Sequence, residues 1–144
     1  MRFLLINGAN LNMLGVREPE IYGTMTLDEI NNELALYAKE RGVELDFFQS
    51  NHEGEIIDRI QTSDEYDGII INPAGYSHYS VCILDAIKAI SIPVIEVHLS
   101  NITERGRKSI TREACIDMIE GLGIEGYKMA IDKLADNITK KQVI

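Results

Sequence analysis

Short apolar segments alternate along the chain with longer segments in which apolar residues recur every three or four positions. The short segments cover residues 3–6, 43–48, 68–72, 93–98 and 116–119. Several of them are continuously apolar, which is typical of strands buried on both faces. They predict five strands.

The segments between these strands predict helices. Thr26 and Glu29 have the spacing of a capping box, and helical periodicity follows at Leu27, Ile30, Leu34, Tyr37 and Ala38. A second capping box is predicted from Ser50 to Glu53, before the apolar positions Ile56, Ile57 and Ile60.

Two more helices complete the pattern. One is expected to begin near Ser77 and to bury Val81, Leu84, Ile87 and Ala89. The last is expected over residues 125–138, with a frayed tail at 139–144.

Strands that alternate with helices predict right-handed crossovers and a parallel sheet. We therefore expect one α/β domain over residues 1–144, with a five-stranded parallel sheet and helices on both faces. Ligands in such sheets bind beyond the carboxyl ends of the strands. The long polar segment 8–25 follows the first strand, and a loop of this length is typical of a functional element.

Composition narrows the possible partners. The 144 residues carry a net charge of −9, which argues against a nucleic-acid or anionic-membrane surface. The apolar run at the N-terminus is too short for a signal sequence or a membrane span, so a cytoplasmic location is expected. Cys82 and Cys115 have no metal-site spacing and are expected to be buried thiols.

Polar residues collect where the predicted strands end. Residues 7–12, 49–53, 72–78 and 98–101 are rich in amides and hydroxyls, and they hold all three histidines, His52, His78 and His98. Glu96 lies two residues before His98 and so on the same strand face. That carboxylate could orient a catalytic imidazole, or His98 could be a structural residue; the spacing alone leaves both open.

Several cofactor classes lack their signatures. No cluster has metal-ligand spacing, no GxGxxG or phosphate loop follows the first strand, and no lysine lies at a predicted strand end for Schiff-base chemistry. We expect neither a cofactor nor a metal.

Together the segments resemble the type II 3-dehydroquinate dehydratase family. The resemblance rests on NGANLNMLGVREPEIYG (7–23), FFQSNHEGEIID (47–58), INPAGYSHYSV (71–81), IPVIEVHLSN (92–101) and GLGIEGYKMAI (121–131). It implies a flavodoxin-like fold and cofactor-free dehydration of 3-dehydroquinate to 3-dehydroshikimate in the shikimate pathway. It also implies a homododecamer, assembled as a tetramer of trimers.

The resemblance also implies roles for individual residues. Tyr22 is the expected proton acceptor, and Arg17, on the same lid loop at 8–25, is the residue expected to activate it. Asn10 is expected to stabilise the enolate. His98 is the expected proton donor, with Glu96 as its partner.

A second group of positions is implied to hold substrate. Its members are Asn72, Gly75, His78, Leu99 and Ser100. Asp85 matches an acid that the family presents to a neighbouring subunit's site.

The chain departs from the family pattern at three places. Ala9 stands where the family usually has proline, Ala74 stands where it usually has glycine, and the segment 102–109 is shorter than usual. The substrate-binding arginine of that segment has no unambiguous counterpart; Arg107 is the first choice and Arg105 the second.

Two other function classes stay open at this point. The same fold could serve as a non-catalytic module for a small acid or a partner protein. An FMN-dependent redox protein is less well supported, because no Ser/Thr-rich phosphate loop follows the first strand.

Overall fold

The sheet has five parallel strands. The structure, a computed structural model, describes residues 1–142. Its strands are β1 (Arg2–Asn7), β2 (Glu44–Gln49), β3 (Gly68–Asn72), β4 (Val94–His98) and β5 (Asp117–Glu120). They pair in the order β2-β1-β3-β4-β5, which is the flavodoxin-like order. The predicted fold class is confirmed.

The helices cover both faces of this sheet. They are α1 (Pro19–Tyr22), α2 (Leu27–Glu40), α3 (Glu53–Gln61), α4 (Val81–Lys88) and α5 (Ile124–Gln142). Short 3₁₀ turns lie at Leu11–Met13, Ala74–His78 and Thr111–Ala114.

Alternate residues of the central strands supply two separate cores. Phe3, Leu5 and Ile70 pack with α2 and α5 on one face. Leu4 and Ile69 pack with α3 and α4 on the other. Burial on both faces explains why these strands are continuously apolar.

The capping box predicted at Thr26 is confirmed. Its hydroxyl accepts a hydrogen bond from the Glu29 amide, and the Glu29 carboxylate accepts one from the Thr26 amide. The capping box predicted from Ser50 to Glu53 is wrong. Helix α3 has His52 at its N-cap position, and the Ser50 hydroxyl accepts from the His52 amide instead.

Three expected burials in and around α4 are also wrong. The helix begins later than predicted, with Ser80 as its N-cap. This phase buries Ile83, Leu84, Ala86 and Ile87. Val81, Cys82 and Ala89 are exposed.

The second cysteine is partly buried, and burial raises the pKa of the Cys115 thiol. A thiol in this state is a weak nucleophile.

Helix α5 extends further than predicted. Residues 139–142 continue it as a helix rather than as a frayed tail, and 143–144 lie outside the described residues. Residues 139–142 contain no Gly or Pro that would end the helix. Lys140 and Lys141 complement the helix dipole in the last turn of α5. Within residues 1–142, no helix is both long and apolar enough to cross a membrane.

Candidate active site

A cavity of about 240 Å³ opens at the carboxyl ends of β1, β3 and β4. This is the edge of the sheet at which the sequence predicted a site. Its walls are Ala9, Asn10, Leu11, Arg17, Tyr22, Asn72, Ala74, Gly75, His78, His98, Leu99, Ser100, Ile102, Arg105 and Arg107.

The lid loop at 8–25 forms one wall and contains two short helical elements, the turn at Leu11–Met13 and α1. Leu11 and Leu14 anchor it, because both side chains are buried in the core beneath it. Gly15 and Gly23 have positive φ angles of 90° and 84°, which glycine adopts without steric cost. The buried leucines therefore fix the loop, and the loop places Arg17 and Tyr22 in the cavity wall.

Two arginines flank Tyr22. The Arg17 guanidinium carbon lies 4.6 Å from the centre of the Tyr22 ring. Arg105 Nη1 donates to the Tyr22 hydroxyl oxygen at 2.9 Å and to Ser100 Oγ at 2.8 Å. The phenol is thus next to two positive charges, one over its ring and one at its oxygen.

The 102–109 segment places both candidate arginines at the cavity. Arg105 is half-buried and makes the direct contact with Tyr22, whereas Arg107 is exposed at the cavity wall. The chain turns between them at Gly106, which has a φ of 74°. The two arginines therefore contribute differently, although both add positive charge to the cavity.

His98 and Glu96 form a buried pair. His98 Nε2 lies 2.7 Å from Glu96 Oε2, and both side chains are almost fully excluded from solvent. Glu96 also accepts hydrogen bonds from Ser109 and Thr111. No sequence pattern indicated these two hydroxyls, which lie 13 and 15 positions further along the chain, before and at the start of a 3₁₀ turn.

His78 lies beside His98. The two rings stack with centres 6.4 Å apart and an interplanar angle of 15°. His78 Nδ1 is hydrogen-bonded with the Lys108 carbonyl at 2.9 Å, which leaves Nε2 for the cavity.

A buried hydrogen-bond chain supports Asn72 from behind. Asn7 and Asn72 are paired in register on β1 and β3. The Tyr127 hydroxyl donates to Asn7 Oδ1 at 2.6 Å and accepts from Asn72 Nδ2 at 3.0 Å. Burial raises the pKa of Tyr127, so its hydroxyl stays protonated as this arrangement requires. The segment 121–131 that contains Tyr127 was matched as a family motif, but no hydrogen-bonding role was predicted for this tyrosine.

Replacing Tyr127 with phenylalanine is expected to lower the free energy of unfolding by about 1–3 kcal/mol. The change removes the hydroxyl partner of two buried amide atoms, Asn7 Oδ1 and Asn72 Nδ2. Urea denaturation measures it, and Tyr37→Phe is the matched control, since the Tyr37 hydroxyl bonds Asp132 in a more exposed place. Equal losses in the two variants would contradict the importance assigned to the buried chain.

Ala74 has a φ of 55°, in the left-handed region that disfavours residues with a Cβ. Its amide donates to Asn72 Oδ1 at 3.0 Å. The alanine that departs from the family pattern is therefore held in a conformation that suits glycine.

Two of the residues singled out in the sequence, His52 and Asp85, lie on the surface away from the cavity. His52 is exposed and its nearest acidic partner is Glu55. Asp85 is exposed on α4 and does not line the cavity of its own chain. Among the described residues, no group of three His, Cys, Asp or Glu side chains could hold a metal ion.

Comparison with known proteins gives one consistent result. A family model described as "Dehydroquinase class II" matches residues 1–135. The 3-dehydroquinate dehydratase of Clostridium botulinum strain Hall is 52% identical over 143 residues, which cover 96% of this chain and 97% of the relative. That of Aliarcobacter butzleri is 49% identical and covers 100% and 90%. The crystal structure of a type II dehydroquinase from Butyrivibrio crossotus superposes with a TM-score of 0.90 at 46% identity, covering 94% and 97%.

Proposed function

The chain belongs to the class II dehydroquinase family, and on this premise we propose that it is a hydro-lyase that converts 3-dehydroquinate to 3-dehydroshikimate. The observation that carries the proposal is the pairing, within one cavity, of a tyrosine flanked by two arginines and a histidine held by a buried carboxylate.

Tyr22 is the base. A phenol has a pKa of about 10 in water, so a tyrosine that removes a proton beside a ketone must have its anionic form stabilised. Arg105 contacts the oxygen that carries the negative charge when Tyr22 is ionised, and Arg17 lies over the Tyr22 ring. Nearby cations favour the phenolate.

His98 is the acid. Once the carbon–hydrogen bond has broken and the enolate has formed, the carbon–oxygen bond to the leaving hydroxyl must break. His98 gives that hydroxyl a proton, so that water departs. The buried carboxylate of Glu96 stabilises the charged imidazole before the transfer. Asn10, on the cavity wall, supplies an amide to the enolate oxygen.

The cavity suits an anionic substrate although the chain carries a net charge of −9. Arg17, Arg105 and Arg107 all line it. They provide a local cationic site for a carboxylate. Polar contacts to the substrate's hydroxyls come from Asn72, His78 and Ser100, with the backbone at Gly75 and Leu99.

Assembly as a homododecamer and a cytoplasmic location are further parts of the proposal that stay predictions. In the assembled form Asp85 would reach the cavity of a neighbouring subunit. Sedimentation velocity tests the subunit number, and a monomer with full activity would refute a role for Asp85 across the interface.

The direct test is turnover of 3-dehydroquinate by the purified protein, followed by ultraviolet absorption of the enone product. Activity is expected to survive EDTA, and to survive borohydride added with substrate. Inactivation by borohydride would indicate a Schiff base and refute the mechanism. Saturable binding without product would favour the non-catalytic module.

Arg105→Met is expected to lower kcat by roughly tenfold to a hundredfold, the range for loss of a hydrogen bond to a charged group. Arg107→Met, its matched control at the same cavity, is expected to raise KM more than it lowers kcat. Steady-state kinetics on both variants decides between them. A larger loss of kcat in Arg107→Met would reverse the two roles.

A further inference from the structure

Glu96 is a fully buried carboxylate in contact with His98. Among the described residues, no lysine or arginine forms an ion pair with it; its one potentially charged partner is His98. A buried carboxylate without a fixed cation needs hydrogen-bond donors to remain ionised. These donors determine whether Glu96 can act towards His98 only as a hydrogen-bond acceptor.

Two hydroxyls supply these donors, one to each carboxylate oxygen. Ser109 Oγ donates to Oε2 at 2.6 Å, and Thr111 Oγ1 donates to Oε1. Both residues are buried. Because both hydroxyl protons point at Glu96, the carboxylate has only acceptor capacity left for the imidazole.

An acceptor facing His98 Nε2 fixes which ring nitrogen carries the hydrogen. Nε2 is held as N–H at 2.7 Å, and Nδ1 has no hydrogen-bond partner within residues 1–142. In a ring that lines the cavity, Nδ1 is then the atom that holds the transferable proton. After the transfer, the neutral ring keeps its Nε2–H bond to Glu96 and needs no rearrangement.

The backbone that carries the two hydroxyls is itself fixed. The Ile110 amide donates to the Ser77 carbonyl at 2.7 Å, and the Arg112 amide donates to Ser109 Oγ at 3.2 Å. The neighbouring Lys108 carbonyl bonds His78. One short segment, 108–111, therefore orients both stacked histidines.

We propose that Ser109 and Thr111 are positioning residues that set the tautomer of the acid His98 through Glu96, so that Nδ1 delivers the proton to the leaving hydroxyl. The role in catalysis rests on the proposed function. The tautomer itself does not, and it can be measured without substrate.

The test uses the full-length protein labelled with ¹⁵N at histidine. The chain has three histidines, so the spectrum is simple, and loss of a signal in His98→Gln assigns it. In the parent protein, at a pH where the ring is neutral, we expect His98 to be the Nε2–H tautomer. In Thr111→Val, which keeps the side-chain shape and removes the hydroxyl, we expect a mixture of tautomers.

Kinetics of the same variants provide the second readout. Thr111→Val and Ser109→Ala are each expected to lower kcat by roughly tenfold, to change KM less than twofold, and to shift the pH profile of kcat. Thr111→Ser restores a hydroxyl and is expected to recover most of the loss. Ser63→Ala removes an equally buried hydroxyl that, within residues 1–142, bonds only the Ile60 carbonyl, and it controls for a general effect of such deletions.

Different results overturn different parts. An Nδ1–H tautomer in the parent protein, or an unchanged tautomer in both hydroxyl deletions, refutes the inference. So does a loss of kcat that Thr111→Ser fails to restore. If Thr111→Val does not fold, Ser109→Ala carries the same test. Absence of turnover in the parent protein with the expected tautomer refutes the proposed function and leaves the tautomer assignment standing.

Discussion

Replacing Tyr22 with phenylalanine is expected to lower kcat for 3-dehydroquinate by roughly 10²–10⁴-fold, the range for loss of a general base. The change removes the one oxygen that Arg105 contacts on the lid loop. It leaves the ring, which packs partly against the core, in place. The melting temperature is therefore expected to stay nearly constant while turnover is lost.

Initial rates and thermal unfolding on the same preparation measure both effects. Tyr79→Phe is the control, since its ring is largely exposed and lies outside the cavity, and it is expected to keep parental kinetics. Full activity in Tyr22→Phe would remove this residue as the base. A loss matched by a large fall in melting temperature would indicate damage to the fold instead.

Replacing Gly8 with alanine is expected to lower the free energy of unfolding by about 3 kcal/mol, the upper end of the usual range for overpacking. An added Cβ would lie 2.5 Å from the Pro73 carbonyl oxygen and 2.8 Å from its carbon. Both are backbone atoms, so no side-chain movement relieves the clash. The Gly8 amide also donates to the Asn72 carbonyl at 2.7 Å, which ties the two strand ends together.

The same substitution should also reduce activity, because separating β1 from β3 moves Asn10 and Asn72 at the cavity. Urea denaturation measures the stability, and steady-state kinetics measure the activity.

Gly54→Ala in α3 is the control, because no heavy atom lies within 4 Å of the added Cβ. It is expected to stabilise by about 0.5–1 kcal/mol, as alanine usually does over glycine in a helix. Parental stability in Gly8→Ala would mean that the two strand ends are not fixed.

Local pattern predicted the fold well wherever one physical rule dominated. Continuous apolarity located β3 to the residue, and the hydroxyl–carboxylate spacing located the start of α2. The same reasoning failed at Ser50 and at Val81. A serine hydroxyl can satisfy a nearby turn amide instead of a helix end, and the phase of a short helix depends on the turn before it.

The site was predictable only in part, because its residues come from two kinds of backbone. Glu96 and His98 lie on a regular strand, where alternation places them on one face. Arg105 and Ser109 lie in irregular backbone and Thr111 begins a short 3₁₀ turn, so the directions of their side chains depend on local turns such as the one at Gly106. Spacing therefore could not show that Arg105 is the arginine that contacts Tyr22, nor reveal the two hydroxyls that bond Glu96.

The hydrogen bond between Tyr127 and Asn7 joins residues 120 positions apart. During synthesis on the ribosome, Asn7 is made 120 positions before Tyr127. The amide pair behind the cavity therefore has no hydroxyl to bind until α5 has emerged from the exit tunnel. Nascent or truncated chains that lack α5 are expected to expose the apolar face of the sheet and to be substrates for chaperones or proteases. The amide pair behind the proposed active site is thus completed only after α5 has been synthesised.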